Sequence, residues 1–178
     1  YMLKNTENSY VLIAKIFHWL IALAIIILIT VGFIMSSMDP SPDKYELYNI
    51  HKASGVMVLM LVILRLLWRF SNKIVQPPAD LPNILKLAAK SGHLMLYVFM
   101  LLMPISGVLM SYFGGYDVSV FGLFVIPSAD KAPQIAGMFH QIHVLGIWAF
   151  MAVIVLHISA ALYHHFIRRD NVLIRMIK

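Results

Sequence analysis

The sequence predicts an all-α integral membrane protein, a four-helix transmembrane bundle, on three observations. Apolar residues make up 61% of the 178 and charged residues only 12%, with a mean hydropathy of +0.82, which lies far outside the range of a water-soluble domain. Four apolar stretches are each long enough to cross about 30 Å of hydrocarbon, a distance that takes roughly 20 helical residues. The segments between them collect the helix breakers. Lipid offers the backbone no hydrogen bonds, so spans of this kind are helical.

The first stretch runs from Val11 to Met35. It is long and lacks a small-residue cleavage site, so it is expected to be an anchor and not a removed signal segment. Tyr1 ahead of Met2 reads as a processed or added end. Asp39-Pro40-Ser41-Pro42 separates this stretch from the second, Tyr48 to Trp68, and Gln76-Pro77-Pro78 precedes the third, Ala89 to Tyr112. Gly114-Gly115, Pro127 and Pro133 punctuate the connection to the fourth, Gln141 to Phe166. Within that connection Val118 to Ile126, with Phe121, Phe124 and Val125, is apolar but too short to span; an amphipathic cap at the interface is expected. Four spans leave little chain for anything else, and residues 1–178 are expected to form a single domain.

Charge sets the orientation. The N-terminal side, the 69–90 connection and the C-terminal tail, with the adjoining helix ends, hold 11 of the 14 Lys and Arg residues. The opposite side holds only Lys44, Lys52 and Lys131. The positive-inside rule therefore puts both termini in the cytoplasm. The net charge of +6 is dispersed along helix ends and forms no groove or tract, so a nucleic-acid partner is not expected. Cysteine is absent, which excludes disulfides, thioether-linked haem, iron–sulfur clusters and cysteine zinc sites. Metal chemistry must run through histidine.

There are eight histidines, and ionisable groups inside spans are costly enough to point to function. His143 and His157 are 14 residues apart on one span, close to four turns and about 21 Å of rise, so they share a face at two depths. His51 matches the depth of His143 and His18 that of His157. These four are expected to hold two b-type haems, one near each face of the bilayer. His140 competes for the outer position, but its offset from His157 turns it about 100° from the shared face. A small residue lies one turn from each expected ligand: Ala22 from His18, Gly55 from His51, Gly146 from His143 and Ala161 from His157. Such residues let a macrocycle approach the helix, although they also serve ordinary close packing. His93 has Tyr97 at that place and His164 has Arg168. The same 14-residue step leads from His18 to Gly32, from His93 to Gly107 and from His51 to Arg65. Arg65 is a candidate partner for a propionate or a headgroup. The 12 methionines read as packing and lipid-facing residues.

With these motifs in place, the chain resembles the bacterial two-haem membrane cytochromes b called cytochrome b-561. The resemblance rests on Phe17-His18-Trp19, Ile50-His51, Gly92-His93-Leu94 with Tyr97, and Pro104 with Gly107. Above all it rests on Leu156-His157, Ala160-Ala161-Leu162, His164-His165, Asp170-Asn171 and Arg175-Met176. It implies axial pairs His18 with His157 and His51 with His143. One departure is Val144 after His143, where the family commonly has an acidic residue; His140-Gln141 is the closer local match. The resemblance also implies superoxide oxidation coupled to ubiquinone reduction in the bacterial inner membrane. Lys52 and Lys131, with His140, are then candidates to steer superoxide. His93, His164, Arg65 and Trp19 are candidates for the quinone site, His164 being preferred over His165 because it lies two turns beyond His157. Two other readings stand beside this one. The first is a haem b electron-transfer subunit of a formate dehydrogenase or hydrogenase complex, and the second is a helical scaffold whose histidines bind something other than haem.

Overall fold

The structure, a computed structural model, describes residues 9–73, 75–78 and 80–178; Tyr1 and Lys4 lie outside them. Four long helices follow one another, α1 Leu12–Ser37, α2 Pro42–Phe70, α3 Asn83–Gly114 and α4 Pro133–Tyr163. Each is long and apolar enough to cross a membrane. Helix α1 packs on α2, α2 on α3 and α3 on α4, an up-down-up-down bundle. Both ends of the described chain meet at one end of it, where Trp19 Nε1 donates to the Met176 carbonyl at 2.9 Å.

The helices outrun the apolar stretches because polar chemistry starts and stops them. Ser41 caps α2, its Oγ accepting from the Lys44 N–H at 3.2 Å. Pro42 and Pro133 occupy first-turn positions, where the missing N–H costs nothing. Gly115, at φ 76°, closes α3, and the Tyr116 N–H reaches back to the Ser111 carbonyl at 3.0 Å. Pro104 lies inside α3. Large apolar side chains such as Leu23, Leu145 and Leu156 stand outward on the bundle, as a lipid solvent requires. The core is a narrow column of Ile21, Ile25, Val58, Val62, Phe99, Met100, Met103 and Phe150, in which Phe99 and Phe150 stack at 5.5 Å.

The apolar segment after α3 is a two-stranded ribbon, β1 Val118–Val120 against β2 Phe124–Ile126, antiparallel with Ser119 opposite Val125. Period-two alternation explains it. Val118 and Val120 are buried against Val56, Met57 and Val108, while Ser119 between them is exposed. Phe121 and Gly122 turn the chain at φ 51° and 74°, with Leu123 N–H donating to the Val120 carbonyl at 2.9 Å. Two successive positive φ values carry the chain round in three residues, Phe121 to Leu123, between the paired Val120 and Phe124.

Beyond α4 the chain makes a π-helical turn over His164–Arg168 and a last short helix, α5 Ile174–Ile177. Arg169 at φ 56° ends the π turn. Arg168 then pairs with Asp80 at 2.6 Å, and Arg175 donates to the Gln76 carbonyl at 2.9 Å. The tail is thereby latched to the α2–α3 connection.

Candidate haem centres

The bundle places its histidines at two levels. Toward the hairpin end, His51 of α2 faces His143 of α4 with ring centroids 6.3 Å apart. Toward the termini, His18 of α1 faces His157 of α4 at 6.2 Å. Two metal–imidazole bonds of about 2.0–2.1 Å, each with about 1.1 Å more to the ring centre, span roughly 6.3 Å. Both pairs have the spacing of a bis-histidine iron. No three His, Cys, Asp or Glu side chains among the described residues are grouped to hold a bare metal ion.

His143 is fixed from behind. Its Nδ1 lies 2.9 Å from the Met103 carbonyl and 3.1 Å from Ser106 Oγ. Gly107 lets the ring come close, since a Cβ there would stand 3.2 Å from His143 Cε1. Gly32 does the same for His51 across the bundle, at 3.5 Å. The two glycines reached by the 14-residue step therefore sit behind the hairpin-end imidazoles. Among the described residues His51 Nδ1 is buried without a hydrogen-bond partner, a state that costs about 1–3 kcal/mol. Beside His51 an apolar cavity of about 240 Å³ runs between α1 and α2, with Phe121 of the hairpin at its mouth. Gly55 faces open space, whereas a Cβ on Gly146 would stand 3.1 Å from Met103 Sδ. His140 is exposed, while His143 is half-buried and faces His51. Geometry thus brings His143, and not His140, to the hairpin-end pair.

The termini-end level is more crowded. His93 approaches His157 as well, at 5.7 Å, but this is shorter than the span of a bis-imidazole iron, which favours His18 as the opposing ligand. Ala22 and Ala161 are half-buried beside the pair's helices. Arg65 Nη2 lies 3.1 Å from His18 Nδ1. A guanidinium only donates, so in this arrangement the second nitrogen of a neutral His18 carries the hydrogen. Ligation through that nitrogen requires Arg65 to leave. Arg65 and Arg69 also flank the Tyr97 ring at 5.7 and 5.4 Å. Trp19 stands edge-on to His18 at 5.2 Å, its indole N–H spent on the tail.

His164 lies at the start of the π turn, and its Nδ1 meets Asp170 Oδ2 at 2.5 Å. Arg168 Nε is 3.3 Å from the same oxygen. Burial pushes the Asp170 carboxyl up, but hydrogen bonds from His164, the Val172 N–H and Arg168 outweigh it and hold the group below the usual carboxylate range. At the hairpin end, Lys52 Nζ donates to the Asp117 carbonyl at 3.2 Å. The Lys131 stem lies directly over Gly115. Asp117 accepts from the Ser128 N–H and hydroxyl at 2.7 and 2.8 Å, which lowers its carboxyl's pKa.

Sequence reasoning missed Ser106 and the role of Asp170. No local signal marks the first, since Ser91, Ser106 and Ser111 all lie in the same apolar span. The signal for the second was an acid six residues beyond His164 in an otherwise basic tail.

A family model described as prokaryotic cytochrome b561 matches residues 9–178. Cytochrome b561 homolog 2 of Escherichia coli (strain K12) is 35% identical over 97% of this chain and 93% of its own length. Cytochrome b561 homolog 1 of the same organism is 30% identical over 90% and 92%. A protein of Yersinia pestis named probable superoxide oxidase CybB is 33% identical over 90% of each chain. With two facing imidazole pairs in four membrane helices, the chain belongs to the prokaryotic cytochrome b561 family of haem b electron-transfer proteins.

Proposed function

We propose that the chain is a superoxide:ubiquinone oxidoreductase of the bacterial inner membrane that holds two b haems. His51 and His143 hold the outer haem and His18 and His157 the inner one; the hairpin end faces the periplasm and the termini face the cytoplasm. The observation that carries the reading is the pair of facing imidazoles at each of two depths, 6.3 and 6.2 Å apart. The orientation rests on the excess of Lys and Arg at the termini end, and the superoxide reading on the similarity to the protein named probable superoxide oxidase CybB. Bound haem supplies the one-electron chemistry that side chains lack.

The balance is simple. Two superoxide anions each lose one electron and leave as O2, and one ubiquinone takes two electrons and two protons. A small anion needs positive potential more than a pocket. Lys52 and Lys131 supply it at the hairpin end, with the exposed His140 beside them. At the termini end His93, His164, Arg65 and Trp19 surround the quinone headgroup. Arg65, once it leaves His18 Nδ1, offers its guanidinium to a carboxylate or a quinone carbonyl. His164 holds a proton between Nδ1 and the Asp170 carboxylate, and Trp19 offers a ring face.

Rapid mixing of superoxide with the oxidised holoprotein is expected to reduce the b haems, and a soluble ubiquinone analogue to reoxidise them with formation of quinol. If superoxide leaves the haems oxidised while quinol still reduces them, the donor assignment is wrong.

The Asp170 contact adds a pH dependence. A carboxyl whose folded pKa is depressed stabilises the fold above its unfolded value, and that contribution disappears as pH falls through the folded value. Asp170→Asn is therefore expected to cost about 1.5–3 kcal/mol at pH 7, the range for hydrogen bonds to a charged group. The difference from wild type should begin to narrow near pH 4, the ordinary carboxylate value, and close only below the depressed folded value, as read by thermal unfolding of the holoprotein across that range and at pH 7. An equal cost throughout would show that the carboxylate charge is not what holds the tail.

A further inference from the structure

We propose that Ser106 is a positioning residue for the outer haem ligand His143, holding its Nδ1–H together with the Met103 carbonyl so that Nε2 is presented unprotonated. The inference rests on the reading of His143 as an axial ligand. Ser106 is 1% exposed, deep in α3. Its Oγ donates to the Met103 carbonyl at 2.9 Å and lies 3.1 Å from His143 Nδ1. The same carbonyl is 2.9 Å from Nδ1. A carbonyl oxygen can only accept, so Nδ1 carries the ring's hydrogen, and a neutral imidazole has only one. The lone pair of Nε2 is then the one left for a metal.

The backbone around this triangle is built for it. Pro104 lacks an N–H and so leaves the carbonyl one turn back, that of Met100, without its helical donor; the Met103 carbonyl is instead engaged by Ser106 and His143. Gly107 keeps a Cβ off the imidazole, where it would stand 3.2 Å from Cε1 and 3.4 Å from Nδ1. Neither His51 nor His18 is treated this way. Among the described residues His51 Nδ1 is buried without a hydrogen-bond partner, and His18 Nδ1 faces a guanidinium that can only donate. The two ligands of the outer haem are thus unequal, one held in its tautomer from behind and one not.

An acceptor on the far nitrogen makes an imidazole a more basic ligand, and loss of such an outer partner costs about 10- to 100-fold in metal affinity. A more basic ligand favours the oxidised iron. Ser106→Ala removes one of the two acceptors, so it is expected to weaken retention of the outer haem about tenfold and to raise the midpoint potential of that haem. The inner haem's potential should stay where it is. Ser111→Ala is the control, because Ser111 is also buried in α3, at 6% exposure, and among the described residues no hydrogen bond joins it to a histidine. It should change neither haem.

The experiment is a redox titration and a haem-release assay on wild type, S106A, S111A and His143→Ala. An outer potential and haem retention in S106A equal to wild type, or equal shifts of both haems, overturn the proposal. If S106A does not accumulate, Ser106→Cys, close in size with a weaker donor and acceptor, replaces it; an outer potential above wild type supports the proposal and an unchanged one overturns it. The ligand reading fails separately: it falls if His143→Ala retains both haems, whatever S106A does.

Discussion

Replacing His157 by alanine is expected to leave one b haem per chain in place of two, and to end electron delivery to ubiquinone. His157 is the meeting point of the termini-end level. His18 faces it at 6.2 Å and His93 at 5.7 Å, so no other residue of α4 substitutes for it there. Loss of an outer-shell partner already costs about 10- to 100-fold in metal affinity, and loss of the ligand itself costs more. His18→Ala should reproduce the effect, because its spacing to His157 fits an iron between two imidazoles. His93→Ala should keep both haems and lose activity at the quinone step. Pyridine haemochrome quantitation on the purified proteins separates these outcomes. Two haems remaining in His157→Ala would sink the ligand scheme, and inner-haem loss in His93→Ala but not His18→Ala would move the axial position from α1 to α3. The surviving haem should keep its spectrum, since the hairpin-end pair shares only α4 with the lost one.

The spans were readable because lipid leaves an apolar chain one solution. A backbone without solvent hydrogen bonds becomes helical, so hydropathy alone placed all four. The helix ends were not readable to the same degree. Pro42 and Pro133 read as breakers, yet each sits in a first turn where proline is at home. The ribbon at Val118–Val120 and Phe124–Ile126 was hidden because three-residue strands carry too little alternation. Its turn puts Phe121 at positive φ, which an aromatic residue seldom adopts.

The histidine pairs were readable for a geometric reason. Fourteen residues return a helix to nearly the same face, so spacing on α4 fixed two levels, and depth chose partners from α1 and α2. What surrounds the pairs depended on contacts remote in sequence. Trp19 reaches Met176 across 157 positions, and Ser106 reaches His143 across 37. No local pattern announces either. The Arg65 contact with His18 was half readable: the 14-residue step from His51 put a cation at the right depth, but not against a ligand nitrogen.

Reversing charge at the hairpin end should slow superoxide oxidation without touching the haems. Lys52, Lys44 and Lys131 are the Lys and Arg residues of that side, so it has little positive charge to lose. Steering by a local field raises anion on-rates by about 10- to 1000-fold, and the gain falls as salt rises. The double variant Lys52→Glu, Lys131→Glu should lower the second-order rate with superoxide by about tenfold or more at low ionic strength. Asp39, Asp43, Glu46, Asp117 and Asp130 share this end with the three lysines, so steering requires a local field at Lys52 and Lys131 that outweighs them: the wild-type rate then falls as salt screens it, and a rate that rises overturns the steering role. The variant, which now repels the anion, should speed up as salt is added. An uncharged reductant serves as the control and should react equally with both proteins. The two lysines differ in how much they also support the fold. Lys52 holds the Asp117 carbonyl at the start of the hairpin, and Lys131 covers Gly115 with its stem. Lys52→Gln and Lys131→Gln, which remove charge but retain a donor and most of the stem, therefore separate steering from support. If the glutamine variants keep the wild-type rate and salt slope while the glutamates lose haem, these residues hold the hairpin and do not guide the substrate.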